Sequence, residues 1–143
     1  MNKFLKKYMK EYFKGTYKEE NGVFSFYQYY QNMKNNVKVI LYVEKGVLIC
    51  SSRFPASVMR NDGFYNEEQI SIIGKINNEL EYGCLEVDDA SADVLFVVKF
   101  KPETKYSDLV EHYYVENIDR VINYGVNFFD EKYGEIIDDM FII

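Results

Sequence analysis

The stretch VKVILYVEKGVLICSSR, residues 37–53, decides the fold. Val37, Val39, Leu41 and Val43 alternate with Lys38, Ile40, Tyr42 and Glu44. That period of two places one set of side chains on each face of a strand. Lys45-Gly46 interrupts the run, and VLICSSR then resumes it. Two strand-like runs separated by two residues ending in glycine predict a β-hairpin, over 37–44 and 47–53. Upstream, VFSFYQYY (23–30) is dense in aromatic and β-branched side chains and suits a third strand. The polar NMKNN (32–36) between them supplies asparagines that tolerate a tight turn. Three consecutive antiparallel strands follow, a meander.

Outward from this meander the pattern turns helical on both sides. Phe4, Leu5, Tyr8, Met9, Tyr12 and Phe13 recur at steps of three and four, which predicts a helix over 3–15 stopped by Gly15. Residues 54–65, with Pro55 and Asn61-Asp62-Gly63, read as a connection. A helix over 66–81 begins at Asn66, with Glu67 and Glu68 in its first turn and Gln69 three residues after the cap. Ile70, Ile72, Ile73, Ile76 and Leu80 are its expected buried face, and Gly83 ends the element. CLEVD (84–88) and DVLFVVKFK (93–101) alternate and form a second hairpin, ended by Pro102. From Ser107 to Met140 the apolar spacing is helical again. A straight helix over 107–140 would run about 50 Å, against a radius of gyration of about 14–15 Å for a domain of this size. The reading is therefore a helix broken at Gly125 or Gly134, or one that projects to a partner. The expected order is α-βββ-α-ββ-α: one α+β domain over 1–143, with a single five-stranded antiparallel sheet packed against helices.

Composition bounds the function. The 143 residues are 48% hydrophobic and 28% charged, the balance of a soluble globular domain. The net charge of −6 argues against nucleic acid or an anionic membrane as partner. The basic N-terminus lacks the apolar run of a secretory signal, and no stretch has the length of a membrane span, so a cytoplasmic location is expected. Cys50 and Cys84 lie in strand-like segments without a CxxC pattern and read as reduced structural thiols. Fourteen tyrosines and eleven phenylalanines beside many Lys, Asn and Ile fit the coding bias of an AT-rich genome.

Signals for chemistry are weak. His112 and Glu116 form an i, i+4 pair, but a metal needs three or four ligands. Asp88, Asp89 and Asp93 begin like a calcium loop, yet the sixth position lacks glycine and Lys99 stands where a bidentate glutamate belongs. Ser51 and Ser52 lack the glycine-flanked elbow of a hydrolase nucleophile, and there is no glycine-rich phosphate loop. No catalytic residue, metal or cofactor is expected, and the protein reads as a non-enzyme.

The stretches VLICSSRFP (47–55) and IGKINNELEYGCLEVD (73–88), in this element order, resemble the YbjN-like family, whose fold is shared with type III secretion chaperones. The resemblance spans residues 3–130. It implies a small acidic cytoplasmic protein, monomeric or dimeric, that binds another polypeptide or modulates a regulator.

Two surfaces stand out as protein contacts. Phe24, Phe26, Tyr27, Tyr29 and Tyr30 put rings on both faces of one strand, more than a single helix-covered face requires. Ile136, Ile137, Met140 and Phe141 lie in YGEIIDDMFII (133–143), beyond the length needed to cover a five-stranded sheet, and would be hidden by folding back or by a homodimer. Charge is also segregated. Residues 1–18 hold six lysines against Glu11, whereas 106–143 hold nine carboxylates against Arg120 and Lys132. These helices are expected to be solvated, or to meet with complementary fields. The same carboxylates, especially Glu131, Glu135, Asp138 and Asp139, support an alternative: a small acidic inhibitor or immunity-type protein covering a basic site on a partner.

Overall fold

The computed structural model describes residues 2–54, 66–81, 83–88, 93–100, 116, 118–119 and 122–141. The side chains at 2–4, 100, 125–127, 140 and 141 lie outside that description. Helix α1 (Asn2–Phe13) precedes strands β1 (Lys18–Glu20), β2 (Val23–Tyr30), β3 (Asn35–Glu44) and β4 (Val47–Phe54). Helix α2 (Glu67–Glu79) leads to β5 (Cys84–Val87) and β6 (Val94–Phe100). A π-helical segment (Tyr124–Asp130) runs directly into α3 (Glu131–Phe141). The six strands form one antiparallel sheet in the order β1-β2-β3-β4-β6-β5. The α+β class with helices against a single sheet is the one the sequence predicts.

Turn chemistry fixes the meander. Lys45 and Gly46 both have positive φ (51° and 77°), the two-residue turn whose twist matches the flanking strands. The same device recurs at Asn21 and Gly22 (52° and 80°), joining β2 to β1. Strand β1 makes the sheet six-stranded instead of five. Lys-Glu-Glu is too short and too polar to show alternation, and Asn21-Gly22 was its one available signal. A short charged edge strand also discourages pairing with other chains.

Register separates the two faces. Phe24, Leu41, Cys50 and Val98 lie in one row across the sheet, and Phe26, Val39, Ser52, Phe96 and Leu85 in the next. These side chains form the core with Leu5, Tyr8 and Met9 of α1, Ile76 of α2, and Phe129, Tyr133 and Ile137 of the C-terminal helix. The ring of Phe129 stacks on those of Phe54 and Phe96, at 5.3 Å and 4.7 Å between centroids. Offset aromatic contacts of this kind add to the burial of apolar area.

Of the two alternatives for the C-terminal segment, a break at Gly125 or Gly134 is not found among the described residues. Residues 122–141 are continuously helical, through a π-helical stretch at Gly125 and an α-helical one at Gly134. A Cβ on Gly134 would stand 2.5 Å from Asp130 Oδ1 and 2.8 Å from Asn32 Cβ. Glycine here permits close approach of the helix to the β2–β3 turn, and it does not end the helix. The tail is part of the core: Tyr133 is 5% exposed and Ile137 is fully buried.

Helix α2 starts as its sequence predicts. The Asn66 side chain accepts from the Gln69 amide at 2.8 Å, and Gln69 Oε1 accepts from the Asn66 amide at 2.9 Å. Gln69 is thereby buried, and Ile70, expected in the core, is exposed. The inward face is carried by Ile76, with Ile72, Ile73 and Leu80 packed at its margin.

Candidate functional site

Strand β2 divides the five aromatic side chains by the pleat. Phe24, Phe26 and Tyr30 point into the core and are removed from any contact surface, because even-numbered positions face the helices. The Tyr30 hydroxyl is buried against Ser52 Oγ at 3.5 Å, and burial pushes its pKa up. Tyr27 and Tyr29 project from the opposite face and are 67% and 57% exposed. Across the register they face Lys38 and Asn36 of β3. Burial on this outer face is graded. Ile49 and Val97 at its centre are buried, Ile40 and Tyr42 are half-buried, and the face opens at β2.

A second surface lies between α2 and α3. A groove of about 440 Å³ is lined by Ile72, Ile76, Tyr133 and Ile136, with Lys75, Glu79, Lys132 and Asp139 at its rim. The Tyr133 hydroxyl donates to Glu79 at 3.1 Å, and Lys132 Nζ lies 5.4 Å from the centroid of the Tyr133 ring. Burial is the first cause that raises the Tyr133 pKa, with the hydrogen bond to Glu79 adding to it. Of the tail residues expected at an interface, Ile137 is buried in the core and only Ile136 is shown exposed. The side chains of Met140 and Phe141 lie outside the described residues. Glu131, Glu135 and Asp139 are exposed and Asp138 is half-buried.

Several other polar groups have structural partners. Arg53 Nη1 donates to Asp88 Oδ2 at 3.2 Å and to Asp93 Oδ2 at 3.0 Å, so the carboxylates that begin a calcium-like pattern instead clamp the β5–β6 hairpin to β4. Cys50 lies on the inner face and Cys84 on the outer, in the row of Val97 and Ser51, so the sheet separates them and both are free. Burial pushes the Cys50 thiol up to about 12. Cys84 is also raised, by burial and then by its hydrogen bond to Glu86. Neither has the depressed pKa of a reactive cysteine. Tyr8 donates to Asp119, joining α1 to the C-terminal half, and burial followed by that bond raises its pKa. Of the N-terminal lysines, Lys6 pairs with Glu19 of β1 at 3.4 Å. His112 lies outside the described residues. Among the described residues no three metal-ligating side chains cluster, and no helix is long and apolar enough to cross a membrane.

Fold and surface together define an α+β protein with helices on one face of an antiparallel sheet and a partly open aromatic face on the other. No protein-family model matches the chain, and no curated protein matches its sequence.

Proposed function

We propose that this protein acts by binding another polypeptide and carries out no chemistry of its own. The carrying observation is the pair Tyr27 and Tyr29, side by side on the outer face of β2 and more than half exposed. Tyrosine supplies a large, stiff contact area with a polar tip, which is why it is enriched at the centres of protein interfaces. Half-buried Ile40 and Tyr42 extend the patch towards the buried centre of the sheet. The proposal takes up the YbjN-like, secretion-chaperone-like resemblance and extends to a cytoplasmic location.

The test is affinity capture from host extract with the wild-type chain and with Tyr27→Ser/Tyr29→Ser, after circular dichroism shows that both fold. Polypeptides retained by the wild type and lost from the double variant support the proposal. Identical capture by both chains contradicts it.

A further inference from the structure

We propose that the partner polypeptide binds as an added strand along β2, pairing with the backbone of Tyr27 and Tyr29. This rests on the polypeptide-binding reading above and adds how the segment is held and what side chains it carries. Strand β1 closes this side of the sheet only in part: it pairs with Val23, Phe24 and Ser25 and then stops. Residues 26–30, about 17 Å of strand, have β3 on one side and no strand among the described residues on the other. Their sequence, FYQYY, holds no charge, proline or glycine, the usual devices that keep an edge from pairing.

Hairpin geometry decides which backbone groups are left over. Glu20 and Val23 flank the two-residue Asn21-Gly22 turn and form the first hydrogen-bonded pair of that ladder. Such pairs recur at every second position, so odd-numbered residues of β2 turn N–H and C=O towards β1, and even-numbered ones towards β3. The β3–β4 hairpin gives the same parity independently. Glu44 and Val47 flank its turn, so even-numbered residues of β3 bond to β4, and Val37 and Val39 are left to meet Gln28 and Phe26. Tyr27 and Tyr29 therefore present their N–H donors and C=O acceptors along the open side. No hydrogen bond within the described residues uses them.

An extended segment laid there gains a ladder bond for each of these groups. Its residues opposite Tyr27 and Tyr29 share the outer face with those rings, which favours apolar side chains. The residue between them lies on the inner face beside Gln28, whose Oε1 is buried with no hydrogen-bond partner. A Ser, Thr, Asn or Gln at that position supplies the missing donor. The occupant is thus an extended segment reading apolar, donor, apolar. A second copy of this chain fits worse: in a two-fold pairing about Gln28, Gln31 of each would fall where the other's Lys18 already pairs with Ser25.

The probe is a phage-displayed library of random decapeptides panned on the full chain, followed by the synthetic form of the sequence it enriches. That peptide is expected to carry the alternation above. It slows amide hydrogen exchange at Tyr27 and Tyr29 by about tenfold or more, while Phe26 and Gln28, already bonded to β3, change by less than about threefold. N-methylation at successive peptide residues weakens binding about tenfold at every second position and about threefold or less between them. No enriched sequence, unchanged exchange at Tyr27 and Tyr29, or a methylation scan without alternation overturns the added strand. So does protection of those two amides in the free chain that grows with its concentration, the mark of a second copy. A flat scan with binding lost in Tyr27→Ser/Tyr29→Ser removes the strand and leaves the tyrosine reading in place. An alternating scan with binding kept in that variant does the reverse.

Discussion

The carboxylate of Asp130 accepts the backbone N–H of Met33 at 3.0 Å, across 97 positions of sequence. Its other oxygen accepts from the Asn32 amide at 3.1 Å, and Asn32 Nδ2 returns a bond to the Asp130 carbonyl at 3.2 Å. Asp130 is 3% exposed. The C-terminal helix is thus fastened to the β2–β3 turn by one buried side chain at the junction of the π-helical segment and α3.

Replacing that side chain strands two amide donors. Asp130→Ala is expected to lower unfolding stability by about 2–4 kcal/mol, since each unsatisfied buried group costs about 1–3 kcal/mol. Asp130→Asn keeps one acceptor and is expected to lose roughly half as much. Urea titration of the three chains reads the difference. Equal stability of all three would show that the fastening contributes nothing.

Two helical glycines should respond with opposite signs to the same substitution. Gly74 of α2 has no atom within 4 Å of a built Cβ, so Gly74→Ala gains helix propensity and stabilises by up to about 1 kcal/mol. At Gly134 the Cβ meets Asp130 Oδ1 and Asn32 Cβ, so Gly134→Ala destabilises by about 1–3 kcal/mol despite the same propensity gain. Thermal or urea unfolding decides, and stabilisation at Gly134 would refute the close approach.

Alkaline pH should weaken the fold through Cys50. Burial raises its pKa from 9.0 to about 12. Above pH 9 the unfolded chain releases this proton while the folded chain keeps it, so stability falls as pH rises and goes on falling until about 12. By pH 10 the loss from this thiol is on the order of 1 kcal/mol. Tyr8 and Tyr30, also raised by burial, add their share only above the ordinary tyrosine range. Cys50→Ala starts less stable at neutral pH, but its stability should change less between pH 8.5 and 10. Parallel slopes for the two chains would contradict this.

The meander, the second hairpin and the start of α2 were legible because each rests on local chemistry: alternation, a glycine-ended turn, and a cap with its glutamine partner. Strand β1 was not, since three charged residues carry no period and owe their place to the Asn21-Gly22 turn and to pairing with β2. Whether the C-terminal helix continues past Gly125 and Gly134 stayed open in the sequence for a different reason. Glycine in a helical pattern signals a break when the chain is considered alone, whereas Gly134 answers to the β2–β3 turn, a contact distant in sequence. Aromatic abundance on β2 pointed to a surface, but only the pleat divides Tyr27 and Tyr29 from the three rings that build the core. The groove between α2 and α3 depends on Ile72 lying at the margin of the core beside Tyr133 and Ile136, a packing that the helical period alone does not show.

Photo-crosslinking in the native host tests the central claim most directly. A benzoylphenylalanine at position 27 is compared with one at position 12, where Tyr12 of α1 is also exposed (55%) but lies away from the outer sheet face. The account predicts a discrete adduct of higher mass from position 27 that contains a second polypeptide, and none of that mass from position 12. No adduct at 27, or the same adduct from both positions, would contradict a binding surface on the open face of the sheet.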